Sequence, residues 1–474
     1  MAYKYDLLLK NAIVVDPVNG LHQKCDVGVA GHKIVELGPE LDLGVALQSH
    51  DLSGKHVIPG IIDLHVHVSS WLGGRFGHKM MAEAGVTTAL DMSGPVDSVL
   101  KMAASHGAGL NLACLQYVRP GATVKTTDPG RAELETLLEE SRKMGAYGFK
   151  ILGGHYPLSP EATALAIEVA RENGAYLAFH AGSLASKSNL DGFDEAIELI
   201  GKHRVHLAHI NSYCRGRVKH YIEETEHAIA VLKANPHICS ESYLSPFNGT
   251  SARCSEGKPQ SLVTVMCLEA GSYPATEDGL EQAILNGWAQ INQERGGRVV
   301  LAIGPEAVRY WRQMDTGVTV SFAVNQAMPR LRLASAKYEA GGFVVDCIST
   351  DGGGIPRNVI VPMGLALVDL GALTLDELVL KTSRNPAAIL GLASKGHLGP
   401  GMDADLTVLD LATNKPVMAI ANGQVIMHQG YVCGRGCRII TTPQGEAAAK
   451  EQGLDTMVVD QTQDSLFKRP GLAS

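Results

Sequence analysis

Val57-Ile-Pro-Gly-Ile-Ile-Asp-Leu-His-Val-His-Val68 is the stretch from which the rest of the chain can be read. The breaker pair Pro59-Gly60 precedes a run whose alternation has the two-residue period of a strand, so His65 and His67 project from the same face. An i, i+2 histidine pair at a strand end can offer two imidazoles to one metal ion without backbone strain. Two polar residues that merely end a strand would look the same, so the pair gains its weight from the residues C-terminal to it.

Beyond Val68 the pattern repeats as strand and helix. Strands are expected at Ala84–Asp91, Asn111–Tyr117, Ala146–Leu152, Ala175–His180, Val205–Ile210, His237–Tyr243 and Phe343–Asp351. The intervening helices include a charged one over Arg131–Lys143 and one opened by Ser159-Pro160, with Ser as N-cap and Pro at the first helical position. Eight such units imply a parallel sheet closed as a (β/α)8 TIM barrel over residues 59–394. Residues 248–340 are too long for one connection and read as an insert, a lid or a specificity element. Short strands before residue 58 and again in 395–440 predict one small β-sandwich domain built from both chain ends, since neither end has strands enough for a stable sheet. Residues 441–474 read as a polar tail with little pattern.

Composition excludes several classes. The chain has 474 residues, 45% hydrophobic and 19% charged, and is globular rather than disordered. A net charge of −8 argues against a general nucleic-acid or anionic-membrane surface. No run approaches the roughly 18 apolar residues of a membrane span. The start Met-Ala-Tyr-Lys-Tyr-Asp carries no signal-peptide pattern, and nine cysteines without a C-x-x-C pair read as free thiols in a reducing compartment. The expectation is a cytoplasmic protein with no nucleic-acid or membrane partner.

Chemistry collects at the C-terminal ends of the inferred strands: His65 and His67, Lys150, His180, His209 and Asp351. A barrel points those ends at its active-site mouth. Histidines in a barrel interior do nothing structural that Val or Ile would not do better, so ligation accounts for the set. Lys150 between Phe149 and Ile151 is poorly placed for a solvated lysine. His203, His206, His220, His227 and His237 fall out of phase or in helices and linkers, and are not expected as ligands.

Pro59-Gly60 to His67, Ala84-Gly-Val-Thr-Thr88, Arg384-Asn-Pro-Ala-Ala388 and Lys395-Gly-His-Leu-Gly-Pro-Gly-Met-Asp-Ala-Asp-Leu406 together resemble the signatures of the amidohydrolase superfamily. The resemblance spans nearly the whole chain and is closest to the binuclear branch of hydantoinases, dihydroorotases, isoaspartyl dipeptidases and N-acyl-D-amino-acid deacylases. It implies two divalent metal ions, zinc by default with Mn, Co or Fe open, the first held by His65, His67 and Asp351 and the second by His180 and His209. It implies that Lys150 is carboxylated by CO2 and that this carbamate bridges the ions. A carbamate offsets the charge of two dications, where a protonated lysine would add to it.

The implied reaction is hydrolysis of an amide C–N bond in a cyclic amide or ureide, or in an N-acylated amino acid. A hydroxide shared by the metals attacks, and Asp351 serves as ligand and as acid–base group. A lactone or ester hydrolase on the same metals is the alternative, as is a mononuclear deaminase, which Ala181-Gly-Ser183 after His180 disfavours by lacking a glutamate. A scaffold that has lost catalysis is disfavoured by the complete ligand set. Hydantoinases carry a tyrosine soon after the bridging lysine; here His155 and Tyr156 stand in that loop as candidate oxyanion donors. Tyr213, Arg215 and Arg217 after the sixth strand and Arg357 after the eighth are candidate substrate contacts, an arginine being able to clamp a carboxylate in two-point fashion. A homodimer or homotetramer is the expected assembly.

Overall fold

Strand β1, Ile61–His67, is buried from Ile61 to Val66, with only His67 reaching half-exposure at its end. Burial on both faces is what a central parallel strand requires, one face against the barrel interior and one against the helices. The computed structural model describes residues 3–462 and 464–470. In it β1 is followed around a parallel sheet by β2 (Val86–Asp91), β3 (Ala108–Val118), β4 (Gly148–Leu152), β5 (Tyr176–His180), β6 (His206–Leu207), β7 (Cys239–Tyr243) and β8 (Cys347–Ser349). The ring closes just beyond β8, where Gly352 and Gly353 pair in parallel with Val66 and His67 of β1. Asp63 on β1 reinforces this seam by accepting from the Thr350 amide at 3.1 Å and from its hydroxyl at 2.5 Å. The fold is a (β/α)8 barrel.

The helices form where the sequence pattern places them. Ser159 caps Pro160–Glu172 by accepting from the Ala162 amide at 3.1 Å, and the buried side of that helix carries Ala162, Ala166, Ile167, Val169 and Ala170.

The two chain ends share one nine-stranded sheet. His56–Pro59 is the splice: it runs parallel to Tyr5–Asp16 at Ile13 and Val14, and antiparallel to Leu406–Asp410, pairing Val57 with Val408. Leu7, Leu9, Val14, Val27, Val57, Leu406, Val408 and Ile420 make one buried core that draws on both ends. The splice passes straight into β1 through Gly60, where a Cβ would lie 2.2 Å from Thr87 Oγ1. Pro59-Gly60 is therefore the joint between the small domain and the barrel.

Two regions take a form that the sequence pattern leaves open. The 248–340 insert is a subdomain in its own right, with a four-stranded antiparallel sheet of Asn248–Ser251, Thr319–Phe322, Ala289–Arg295 and Arg298–Ala302. Helices Leu262–Ala270, Glu277–Leu285 and Gly304–Gln313 cover it, around a core centred on Trp311 and Phe322. Its last part belongs elsewhere, because Leu333 and Ala336 at the end of helix Ala327–Ser335 join the barrel's own core.

The second region is the tail. Gly436–Thr441 pairs in parallel with β3 and with Asp455–Val458, which comes after helix Glu446–Glu451. Beyond it Phe467 stacks on Tyr176 at 4.8 Å and Arg469 pairs with Asp346 at 2.6 Å. Tyr176 opens β5 and Asp346 immediately precedes β8, so this segment seals the N-terminal end of the barrel. A single Leu466-Phe467 pair suffices for that, too short to show a period in the sequence. Seven of the nine cysteines are buried and all are free thiols. Among the described residues no helix is long and apolar enough to cross a membrane.

The seam is testable. Burial raises the Asp63 carboxyl to about 7 in spite of its hydrogen bonds from Thr350 and His65. Asp63→Ala strands the Thr350 amide and hydroxyl in a dry site, at a cost of about 2–4 kcal/mol. A lowered midpoint in denaturant unfolding is expected. With the folded pKa above the unfolded value, wild-type stability falls between about pH 4 and 7 as Asp63 is forced to ionise, and the variant loses that component.

Candidate metal centre

β1 carries His65 and His67 to the mouth, and the chain leaving β8 brings Asp351 to them. Asp351 Oδ1 lies 2.6 Å from His67 Nε2 and 3.3 Å from His65 Nε2. One donor atom from each of the three residues falls within 4.8 Å of the others. Asp351 has φ 52, a left-handed backbone that costs a non-glycine residue free energy and persists only where its surroundings impose it. Arg357 supplies that constraint. Its Nη2 pairs with Asp351 Oδ2 at 2.7 Å, its Nε donates to the Asp351 carbonyl, and its Nη1 donates to the Phe247 carbonyl at 3.1 Å. Burial would raise the Asp351 carboxyl, but Arg357, then His65 and His67, hold it well below the usual carboxylate range.

His180 ends β5 and His209 lies just past β6, with His180 Nδ1 3.0 Å from His209 Nε2. His209 is also left-handed, at φ 35, and its ring stacks on that of His65 with centroids 5.1 Å apart. The second His180 nitrogen meets Ser188 Oγ at 2.8 Å. Burial lowers the pKa of His65, His180 and His209 well below the ordinary imidazole value. Lys150, on β4, is 1% exposed, and its amine donates to Met92 Sδ at 3.1 Å. Burial lowers it to about 8, against the raising influence of Glu241 and Asp351. Three buried imidazoles, the partly exposed His67, one carboxylate and a sealed amine form a donor set suited to borderline divalent ions.

One residue of the site lies outside the set expected from the sequence. Glu241, in the middle of β7, accepts from His65 Nδ1 at 2.8 Å, from the His209 amide at 2.7 Å and from the Ser349 hydroxyl. A histidine whose second nitrogen is held by a carboxylate is fixed in tautomer and ring orientation. A signal does exist, since a glutamate in mid-strand of a barrel is as anomalous as Lys150. His206, in contrast, turns to Tyr176, its Nδ1 2.9 Å from the Tyr176 hydroxyl.

A cavity of about 480 Å3 opens above these residues, roofed by Asn248–Ser251 and Leu262, Val263 and Met266 of the insert. Not every expected substrate contact lies in it. Tyr213 does not line it; it is buried and its hydroxyl accepts the Ala181 amide at 2.8 Å, bracing the loop after β5. Arg357 reaches the cavity but is committed to Asp351. His155 stands exposed at the mouth, its ring 5.3 Å from that of His180, and Tyr156 lies under the Arg119 guanidinium at 3.9 Å. Arg215 and Arg217 both line the cavity.

A parallel barrel with buried imidazoles and an aspartate at its C-terminal mouth defines a metal-dependent hydrolase class, and comparison with known proteins narrows it. The profile of the amidohydrolase family matches residues 56–435, and the chain belongs to that family. A dihydroorotase of Trichlorobacter lovleyi is 24% identical over 86% of this chain and 90% of its own length. An N-acyl-D-glutamate deacylase of Alcaligenes xylosoxydans xylosoxydans is 23% identical over 95% of this chain and 99% of its own. The N-acyl-D-glutamate deacylase of Bordetella bronchiseptica, solved with zinc and a phosphonate mimic of the tetrahedral intermediate, superposes with a TM-score of 0.66 at 15% identity, covering 92% of this chain and 99% of that one. The protein is thus an enzyme, a hydrolase of amide C–N bonds that uses divalent metal.

Two substitutions test the geometry. A Cβ on Gly154 would sit 2.0 Å from His180 Nε2, so Gly154→Ala is expected to displace that ring and lower the bound-metal stoichiometry by elemental analysis. Glu241→Gln keeps the shape but weakens the hold on His65, and metal affinity measured by chelator competition is expected to fall about 10–100-fold.

Proposed function

We propose that the chain hydrolyses a cyclic amide or ureide or an N-acylated amino acid, with His65, His67 and Asp351 around one divalent cation and His180 and His209 around a second. Lys150, carboxylated on its amine by CO2, joins the two, and zinc is the first choice of ion, with Mn, Co or Fe also compatible. The observation that carries this reading is the convergence of His65, His67 and Asp351 within 4.8 Å, with the His209 ring stacked on His65 and His180 in turn 3.0 Å from His209. A sealed amine whose hydrogen-bond acceptor is a thioether supports the role given to Lys150.

When bound, the ions supply Lewis-acid polarisation of the scissile carbonyl and activation of the attacking water. The chain's own groups do the rest. Arg357 fixes the plane of the Asp351 carboxylate by holding Oδ2, which leaves Oδ1 facing the imidazoles. From there Asp351 takes the proton of the attacking water and delivers it to the leaving nitrogen. Glu241 keeps His65 turned so that Nε2, not Nδ1, faces the cavity. His155, whose ring lies 5.3 Å from that of His180 at the mouth, is the first candidate donor for the developing oxyanion, with Tyr156, stacked against Arg119, the second.

The test is metal removal and reconstitution. Dialysis against chelator should abolish turnover of hydantoins, dihydroorotate and N-acyl amino acids alike, and divalent metal with bicarbonate should restore it on the true class. Lys150→Ala should lose on the order of 10²-fold or more in kcat, with partial recovery on adding a short-chain carboxylic acid that takes the carbamate's place. Full activity of Lys150→Ala without such an acid, or turnover independent of metal, overturns the proposal.

A further inference from the structure

The arginines of the catalytic cavity are short of carboxylates. Elsewhere the chain pairs such groups closely: Arg131 meets Glu168 at 2.6 Å and Glu172 at 2.7 Å, and Arg332 meets Glu226 at 2.7 Å. In the cavity lining the one carboxylate is Asp351, and Arg357 already satisfies it.

Three further arginines face the same space with no carboxylate in ion-pair contact among the described residues; Glu224 and Glu269 act on Arg217 only from further off. Arg119 leaves β3 directly after Val118, half-buried, with its guanidinium against the rings of Tyr156 at 3.9 Å and Tyr117 at 5.9 Å. Those contacts use its face and leave its N–H edge undirected. Arg217, also half-buried, has Met266 Sδ at 2.8 Å as the partner of Nη1. Arg215 donates to neutral oxygens, among them Asn325 Oδ1 at 2.8 Å and Asn248 Oδ1 at 2.9 Å, which fix its position without neutralising it. Half-burying a guanidinium with no carboxylate in contact is costly, and the cost is reduced when a bound ligand brings the anion.

The placement of these groups sets the substrate's shape. Arg119 follows β3 while Arg215 and Arg217 follow β6, three strands further round the eight-stranded ring and so on a different side of the mouth from it. The candidate metal ligands come from β1, β5, β6, β8 and Lys150 of β4, between these two cationic sides. We propose that the substrate is an amide with two carboxylates, one received by Arg119 and the other by Arg215 and Arg217, with the scissile bond between them at the metal centre. The proposal rests on the amide-hydrolase reading above and narrows it to acylated amino acids that carry two acids. A neutral ureide ring leaves all three arginines uncompensated.

The experiment uses metal-reconstituted holoenzyme and pairs of amides that differ by one carboxylate on the acyl side: N-succinyl-alanine against N-butyryl-alanine, and N-glutaryl-alanine against N-pentanoyl-alanine, each in both configurations. The two-carboxylate member of at least one pair should be favoured in kcat/KM by about 30-fold or more. Arg119→Met should collapse that ratio, with Arg119→Lys intermediate because it keeps the charge and loses the planar fork. Calorimetry with glutarate and butyrate reads the same point without turnover, and glutarate should bind wild type at least about 10-fold tighter. Equal handling of both members of every pair, or equal binding of glutarate and butyrate, overturns the proposal while leaving amide hydrolysis standing. Absence of metal-dependent hydrolysis of any amide overturns the parent reading instead, and the glutarate comparison still decides the charge requirement. Should Arg119→Met fail to fold, the wild-type ratios and the calorimetry decide alone.

Discussion

The structure depends on holding the end of β8 against β1. A barrel of parallel strands has no covalent reason to close, and here closure falls at the point where the chemistry is assembled. Gly352 and Gly353 complete the backbone ladder beside Val66 and His67, and Asp63 takes both polar groups of Thr350. Between these anchors Asp351 is left with φ 52, and Arg357 grips both its carboxylate and its carbonyl. The strain is local and the restraints are many, which is how a reactive carboxylate is kept in one orientation through binding and release.

Glu241 extends that logic to the other side of the site. One buried side chain touches β1 through His65, the residue after β6 through the His209 amide, and β8 through Ser349. A carboxylate buried among neutral imidazoles is disfavoured unless each lone pair is used, and burial does raise its pKa. Its three acceptances meet that demand. Two of these bonds fix the rotation of the His65 ring and the backbone position of His209, so placement of the two candidate metal positions is shared through one group. A cation placed there would in turn favour the ionised carboxylate, coupling occupancy of the site to rigidity of the strands around it.

Much of this is legible in the sequence because barrels convert strand order into a ring of strand ends. His65, His67, Lys150, His180, His209 and Asp351 are each anomalous for the strand that carries them, and the fold needs only to bring the ends together. The two-ended small domain can be read because Val57-Ile-Pro and Leu406-Thr-Val-Leu have strand texture on either side of a long helical–strand middle. Other features have weaker local signals. Tyr213 sits on a short turn after β6, and nothing in Asn-Ser-Tyr-Cys-Arg tells that its hydroxyl points inward to Ala181 while Arg215, two residues on, points to the cavity. The segment after residue 441 lacks a periodic apolar face, because its anchoring is done by Phe467 stacked on Tyr176 and by the Arg469–Asp346 pair. Tertiary context, not propensity, decides such positions.

The insert explains how a shared barrel comes to serve different substrates. Its core of Trp311, Phe322, Leu268 and Leu280 is its own, so its surface can change without disturbing the strands that carry the candidate metal ligands. It touches the site through a narrow frontage, Asn248–Ser251 and the start of the helix at Leu262, and Arg215 bridges the two by bonding Asn248 and Asn325 of the insert together with Tyr243 of β7. The insert therefore positions a cation that the barrel supplies. Chemistry and selectivity are thus held on separate cores that meet at a few polar contacts, and a change in the frontage can redirect which acyl or amino group is accepted while the hydrolytic centre stays as it is.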